Sequence, residues 1–478
     1  MGAPHRKGVL GKEMDPEAAA YTSSSAFDHE IYEATVYVNI AHLRALEKLG
    51  VIGKTAADRG VAALSNMLRE KFELPPGVED IHIYVETLLS QQVPEAGENL
   101  ALAKSRNDAV VAAIKIRLRE RTLDLCRQLA DCIQVLLEKS VEESSTVFPV
   151  YTHLQRAAPA TYGFILHAYA VRLYKTLQTF RKVLNECEES PLGSAAVAGT
   201  SVPLDRQYLA TLLGFRKIGA NALESTASRE FIITALSATL ATAVVLSSLA
   251  EEFVLYSSEE FGLVEMPEEL AATSSIMPQK RNPVVAEVMR TKAAEVMGLL
   301  ASVEQIVCRM PSGYSLDLQQ ATPKLWAAFK ELESSLKLLA KMVRGSSVRR
   351  ERALHACMPP VAAVELANYL TLKHGVGFRK AHTVAGRVSR LMAERKLSEQ
   401  TLKQTLKEHG VEVSLNVAEV LDIMDPVKTV ERYSVEGSAN PKYVVKSAQE
   451  LLEELKNIRE WLEAESRGLR ETLTSLLR

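Results

Sequence analysis

From Ala109 to Ser140, apolar or small residues return every three or four positions without a break. Val111, Ile114, Leu118, Thr122, Leu125, Leu129, Cys132 and Leu136 fall on one stripe. That spacing marks an α-helix with a buried face. At the rise of an α-helix, a segment over 109–140 runs about 48 Å. A helix of that length finds cover only along other long helices, in a bundle. Similar patterns over 160–188, 229–257, 284–309 and 324–344 supply the neighbours, and strand-like alternation is almost absent. The expectation is an all-α fold with an elongated central bundle over 109–349. Two smaller helical units flank it, an N-terminal one over 1–108 and a C-terminal one over 350–478. Residues 1–20 are polar and are expected to be poorly ordered.

One part of that bundle has two explanations. Phe231 to Ala250 is twenty residues without a charge, long enough to cross a bilayer. Six of the twenty are Ser or Thr, and no other segment resembles it. A helix apolar all round is a membrane span or the centre of a large soluble core; the second is expected here. Composition agrees: 47% hydrophobic, 24% charged, and 57 basic against 59 acidic residues for a net charge of −2. That balance gives no sign of nucleic-acid or anionic-membrane binding. The five cysteines (Cys126, Cys132, Cys187, Cys308, Cys357) are scattered, with no metal-ligand spacing, which favours a reducing, cytoplasmic setting and no metal site. No apolar signal-peptide core is present near residue 1.

The chemistry concentrates in 273–287, TSSIMPQKRNPVVAE. Proline removes a backbone donor and displaces its predecessor from the helical region. Residues 273–283 therefore read as a loop, with a helix starting near Pro283. On residue types alone, an ordinary loop before a helix explains this run. Its order is more specific. SSxMPxKxNP resembles the signature loop of the fumarase/aspartase superfamily, and PQK-x-NP resembles the argininosuccinate lyase form. Thr273 stands where that family usually has glycine.

Further motifs follow in the family's order from about Tyr21 to Val444. In YTSSSAFD, Ser24 and Asp28 suit a helix N-terminus, and they match the family's N-terminal substrate segment. The Trp-Gly-Gly-Arg-Phe often found near the start of bacterial and animal members is missing; Lys7 and Lys12 are candidates to replace it. In EDIHIYVETLL, His82 and Glu86 lie one turn apart, a spacing usually structural. Ser105-Arg106-Asn107-Asp108 precedes the long helix. Ser and Asp there signal a cap, while the Arg fork and free backbone N–H groups suit a carboxylate. SRND resembles the family's substrate-binding tetrad, here after Ala103-Lys104. FPVYTHLQRAAPATYG is bounded by Pro149 and Pro159, placing Thr152, His153 and Gln155 on a loop or helix start; YTHLQRA matches the family. Arg229 opens the apolar helix, to cap charge or bind a carboxylate. Tyr314 and Gln319 sit where the family has substrate contacts, but the Glu-Asp-Lys that commonly follows is replaced by Gln320-Ala321-Thr322, with Lys324 shifted.

The resemblance implies reversible elimination of argininosuccinate to L-arginine and fumarate. A proton leaves a carbon beside an ionised carboxylate, forming an aci-carboxylate, and the C–N bond then breaks. Such a step needs a base, donors and cations aimed at the carboxylate, and an acid for the leaving nitrogen. The resemblance puts Ser274, His153, Glu287 and Lys280 in the catalytic set, with Ser274 as base and His153 on the acid side. It puts Ser24, Asp28, Ser105, Arg106, Asn107, Thr152, Arg229, Asn282, Tyr314 and Gln319 around the substrate. It implies no metal or organic cofactor, and a homotetramer whose shared bundle builds each site from three subunits. Adenylosuccinate lyase, fumarase, aspartase and a non-catalytic lens-crystallin relative are the competing readings.

Overall fold

The central helix runs from Arg106 to Glu142, 37 residues and about 55 Å of continuous rise. The molecule is a computed structural model that describes residue 9, residues 12–69, residue 74 and residues 78–478; Lys7 lies outside the described residues. Ser105 caps the central helix by accepting from Asn107 N, and Asp108 closes a capping box. The stripe seen in the sequence understates the burial. Every residue from Asp108 to Ile116 is buried, because helices Tyr162–Glu186, Thr322–Gly345, Pro441–Ser475 and Tyr32–Lys48 surround the strut. One apolar core extends from Ile31 to Leu476. A second, smaller core joins residues between Ala362 and Met424. The last helix belongs to the first core through Leu455, Ile458, Leu462, Leu469 and Leu473.

The uncharged stretch forms the helix Glu230–Ser257. It packs on Tyr162–Glu186, Lys292–Val307 and Thr322–Gly345, burying Phe231, Ile232, Leu236, Leu246, Leu249 and Phe253. Its small residues serve that packing, and Thr239 and Thr242 return their hydroxyls to the carbonyls one turn back. Ser237, Ala241 and Val244 remain exposed on the chain's surface.

Three local expectations are corrected. The helix expected over 284–309 is two helices, Val284–Met289 and Lys292–Val307. At the break, the Ser247 hydroxyl takes the Arg290 carbonyl and Arg290 pairs with Glu251. Pro283 is the N-cap rather than the first helical residue. The segment around His153 is a hairpin, Val147–Thr152 against Gln155–Thr161, with Pro149 opposite Pro159. Two prolines fit because a two-stranded ribbon has outer edges that need no donor.

The close approach of Tyr162–Glu186 to the end of the central helix sets the hairpin's base. A Cβ on Gly163 would stand 2.2 Å from Ser140 O and 2.8 Å from Ser144 Cα, while Gly163 N donates to Glu143 O. Gly163→Ala is expected to destabilise the chain by roughly 1–3 kcal/mol, as overpacking does. The measurement is the urea midpoint against wild type; an unchanged midpoint would show that the contact relaxes freely.

Candidate active site

Four side chains from three separate segments converge on the guanidinium of Arg106, the first residue of the central helix. Its Nε donates to the Asp80 carboxylate. Nη1 donates to Tyr314 OH at 2.9 Å. Nη2 donates to Gln319 Oε1 at 2.9 Å and Ser24 Oγ at 3.4 Å. Ser24 Oγ in turn donates to Asp28 Oδ2 at 2.8 Å, and the same oxygen accepts from Ile81 N at 3.0 Å. Gln319 is oriented by its Nε2, which donates to Thr22 O. Arg229 completes the group, its guanidinium 5.9 Å from the Tyr314 ring centroid. It donates to Thr226 O and Ser228 O, forms no ion pair among the described residues, and has a buried Nε without an acceptor there. The space between these residues is about 10 Å³, room for one water. Tyr314 and Gln319 thus occupy the two terminal nitrogens of the Arg106 fork.

Ser24, Asp28, Arg106, Arg229, Tyr314 and Gln319 are therefore brought together. Ser105 and Asn107 lie at the same helix start. The Ser105 hydroxyl is the cap, and Asn107 Nδ2 donates to Ala196 O. Asp80 was not anticipated: before Ile81 it reads as an N-cap, and its Oδ1 does cap Ile83 N. Its other oxygen holds Arg106, a long-range partner no local pattern signals. Lys324 donates to the nearby Gln320 O, and Glu86 pairs with Lys104 at 2.9 Å rather than with His82.

The remaining predicted residues occupy two hairpins and, for Glu287, the short helix that follows the second. His153 and Leu154 are the two central residues of one, both left-handed at φ 55° and 56°, as the type I′ turn requires. A non-glycine residue held there costs on the order of 1–3 kcal/mol. The base resists that cost through aromatic packing: Phe148 lies 5.1 Å from Tyr162 and 5.2 Å from Tyr256, and Tyr151 lies 5.5 Å from Phe261. Thr152 and His153 are exposed at the tip.

The second hairpin is the signature run. Ala272–Thr273 pairs with Arg281–Asn282, so the expected loop has a short stem. At its tip, Ser274 N donates to Lys280 O. Ser274 Oγ accepts from Met277 N at 3.1 Å and Ile276 N at 3.4 Å. The Lys280 side chain is exposed, and Asn282 lines a cavity of about 340 Å³ at the stem. Glu287 is half-buried on the short helix after Pro283. Among the described residues, no hydrogen bond or ion pair joins His153 to Glu287, Ser274 or Lys280.

Comparison with known proteins gives the ancestry. Residues 8–298 match a family described as Lyase, and residues 361–431 match one described as Argininosuccinate lyase C-terminal. The argininosuccinate lyase of Methanothermobacter thermautotrophicus is 36% identical over 93% of this chain and 97% of its own. That of Thermus thermophilus is 35% identical over 94% and 97%. The chain belongs to the argininosuccinate lyase family. Among solved structures, an EDDS lyase in complex with formate superposes with a TM-score of 0.86 at 24% identity, over 98% of this chain and 95% of that one. The class II fumarase of Schistosoma mansoni gives 0.74 at 18%, over 87% and 95%. Both share the helical-bundle fold.

In this member of the argininosuccinate lyase family, burial sets the electrostatics of the Arg106 cluster. Burial pushes the Asp28 carboxyl up to about 6, against the Ile81 N–H and Ser24 hydroxyl that favour its ionised form. Burial raises Asp80 most strongly, but the charge of Arg106, the His82 ring and the hydrogen bonds from Ile83 N and Arg106 together outweigh it and hold Asp80 below the usual carboxylate range. Burial pulls Arg229 down to about 10. His82, fully enclosed, falls to about 4 and stays neutral at pH 7.

Because folding raises the Asp28 pKa, the folded state binds that proton more tightly than the unfolded chain. The resulting stabilisation is complete below the unfolded pKa and is lost as pH rises through about 6. Relative to Asp28→Asn, wild type is expected to lose on the order of 3 kcal/mol between about pH 4 and pH 6. Urea unfolding of both proteins across that range checks it; a pH-independent difference would contradict the assignment.

Proposed function

We propose that the chain catalyses the reversible elimination of argininosuccinate to L-arginine and fumarate, as a soluble cytoplasmic enzyme of arginine biosynthesis. The observation that carries the reading is full-length similarity to argininosuccinate lyases, reinforced by the match of 361–431 to the C-terminal region particular to that family.

The roles follow from the chemistry. Ser274 is the base that takes the proton from the carbon beside the carboxylate. A serine hydroxyl is too weakly acidic to serve unaided. Two backbone N–H groups aimed at its oxygen favour the alkoxide, as oxyanion donors do. Lys280 and Asn282, on the same hairpin, answer the charge that builds on the aci-carboxylate, with Thr152 and Asn107 as further donors. Arg106 and Arg229 take the remaining carboxylates. Ser24, Asp28, Ser105, Tyr314 and Gln319 shape the pocket around them. His153, oriented by Glu287, supplies the proton to the leaving nitrogen. Neither metal nor organic cofactor enters this scheme.

The reading includes an assembly. The His153 hairpin, the Ser274 hairpin and the Arg106 pocket have no polar link to one another among the described residues. Exposed apolar residues such as Val244, Val288 and Met297 offer a face for neighbouring copies. A homotetramer in which three chains meet at each site joins the parts. The division into units 1–108, 109–349 and 350–478 belongs to the same proposal, with the last helix reaching back to the bundle.

Ser274→Ala is expected to lower turnover on argininosuccinate, followed by fumarate absorbance, by on the order of 10²–10⁴-fold with the oligomer intact. Unchanged turnover would remove Ser274 as base. Sedimentation of wild type is expected to give four chains per particle; full activity in a monomer would overturn the shared site.

A further inference from the structure

Asp108 is completely buried at the start of the central helix, two residues beyond Arg106. Its Oδ1 accepts from Ser105 N at 2.9 Å, and its Oδ2 accepts from Ala195 N at 2.9 Å. Burial pushes its carboxyl up to about 6, against the N–H groups of Ser105, Ala195 and Gly193, which favour the ionised form. Gly193 and Ala195 are both left-handed, at φ 83° and 51°, which turns their two N–H groups toward one point and makes an anion nest, while the intervening Ser194 N–H bonds Pro191 O. The carboxylate of Asp108 occupies that nest. Beside it, Asn107 Nδ2 holds Ala196 O. On the other side, Arg206 Nε donates to Leu192 O and Nη2 to Ser194 Oγ. The loop 192–197 is thus tied at both flanks, an unusual investment for a segment of Gly, Ser, Ala and Val.

Val197, at the end of the tied segment, explains its use. A Cβ on Gly313 would stand 3.9 Å from Val197 Cγ2 and 3.9 Å from Leu223 Cδ1. Gly313 is itself left-handed, at φ 100°, and precedes Tyr314, the residue that bonds Arg106 and faces Arg229. Val197 therefore borders the Gly313–Tyr314 turn, together with Leu223.

We propose that Asp108 is a positioning residue for the substrate pocket: its carboxylate fixes the 193–197 loop, and through Val197 it fixes the Gly313–Tyr314 turn over Arg106 and Arg229. The proposal rests on the reading of that pocket as the carboxylate site. It extends the role of the helix start beyond Ser105, Arg106 and Asn107.

The test uses the full chain with Asp108→Asn, which keeps the shape but turns one accepting oxygen into a donor facing N–H groups. Hydrogen exchange is expected to quicken in both 193–199 and 310–316 and to stay unchanged in the bundle helices. The KM for argininosuccinate is expected to rise at least about tenfold, the effect of losing roughly one charge-assisted contact, with kcat within about threefold of wild type. Arg206→Met loosens the same loop from its other flank and is expected to produce the same pattern. It also decides the matter if Asp108→Asn does not fold. Exchange confined to 193–199, or an unchanged KM in the folded variant, overturns the proposal. Absence of wild-type turnover on argininosuccinate would instead remove the functional reading, leaving exchange in 310–316 to decide whether Asp108 governs the turn.

Discussion

One guanidinium ties the N-terminal part of the chain to its bundle. Arg106 stands at the end of the longest helix and bonds Asp80, Ser24, Tyr314 and Gln319, which are spread over nearly three hundred residues of sequence. Burying a cation requires an anion nearby and acceptors for its remaining protons; Asp80 supplies the charge, and three neutral oxygens supply the rest. Arg229, 5.9 Å from the centroid of the same tyrosine ring, forms no ion pair among the described residues, though the Glu230 charge acts on it. Two guanidiniums, one of them paired with Asp80, are what suits the pocket to the carboxylate binding proposed for it.

Rigid and adaptable parts are separated accordingly. The cations sit on the ends of long helices whose packing leaves them little freedom, and the proton-transfer candidates sit at hairpin tips. The His153 turn is strained yet anchored by the aromatic contacts of Phe148 and Tyr151 with Tyr162, Tyr256 and Phe261. The Ser274 tip has only a two-residue stem below it, with the Arg281–Glu268 pair alongside. A charge-binding pocket benefits from fixed dipoles, whereas a base that must meet substrate and then release product benefits from a segment able to move.

What could be read before any coordinates depended on how local the signal was. The Ser105 cap, the central helix and the apolar helix were legible because capping and 3.6-residue periodicity involve neighbours in sequence. The hairpin around His153 was not, since its pattern is broken by two prolines and a bulge at Val150–Tyr151. Nor was the signature stem, since two residues carry no period. The break at Arg290 depends on Ser247, more than forty residues away. Asp80 escaped because its partner Arg106 lies on another segment, beyond the reach of any local pattern.

The sequence alone determined an all-helical bundle, the identity of the signature run and the set of residues suited to carboxylate chemistry, because residue type, spacing and motif order are properties of the chain itself. The tertiary structure alone decided which of those residues meet. It joined Ser24, Asp28, Arg106, Arg229, Tyr314 and Gln319 in one pocket, set Asp80 against Arg106 and Asp108 against Ala195 N, and left His153 and Ser274 on separate hairpins. The reason is physical: burial and long-range hydrogen bonds exist only once distant segments are brought into contact, and no local periodicity encodes their partners.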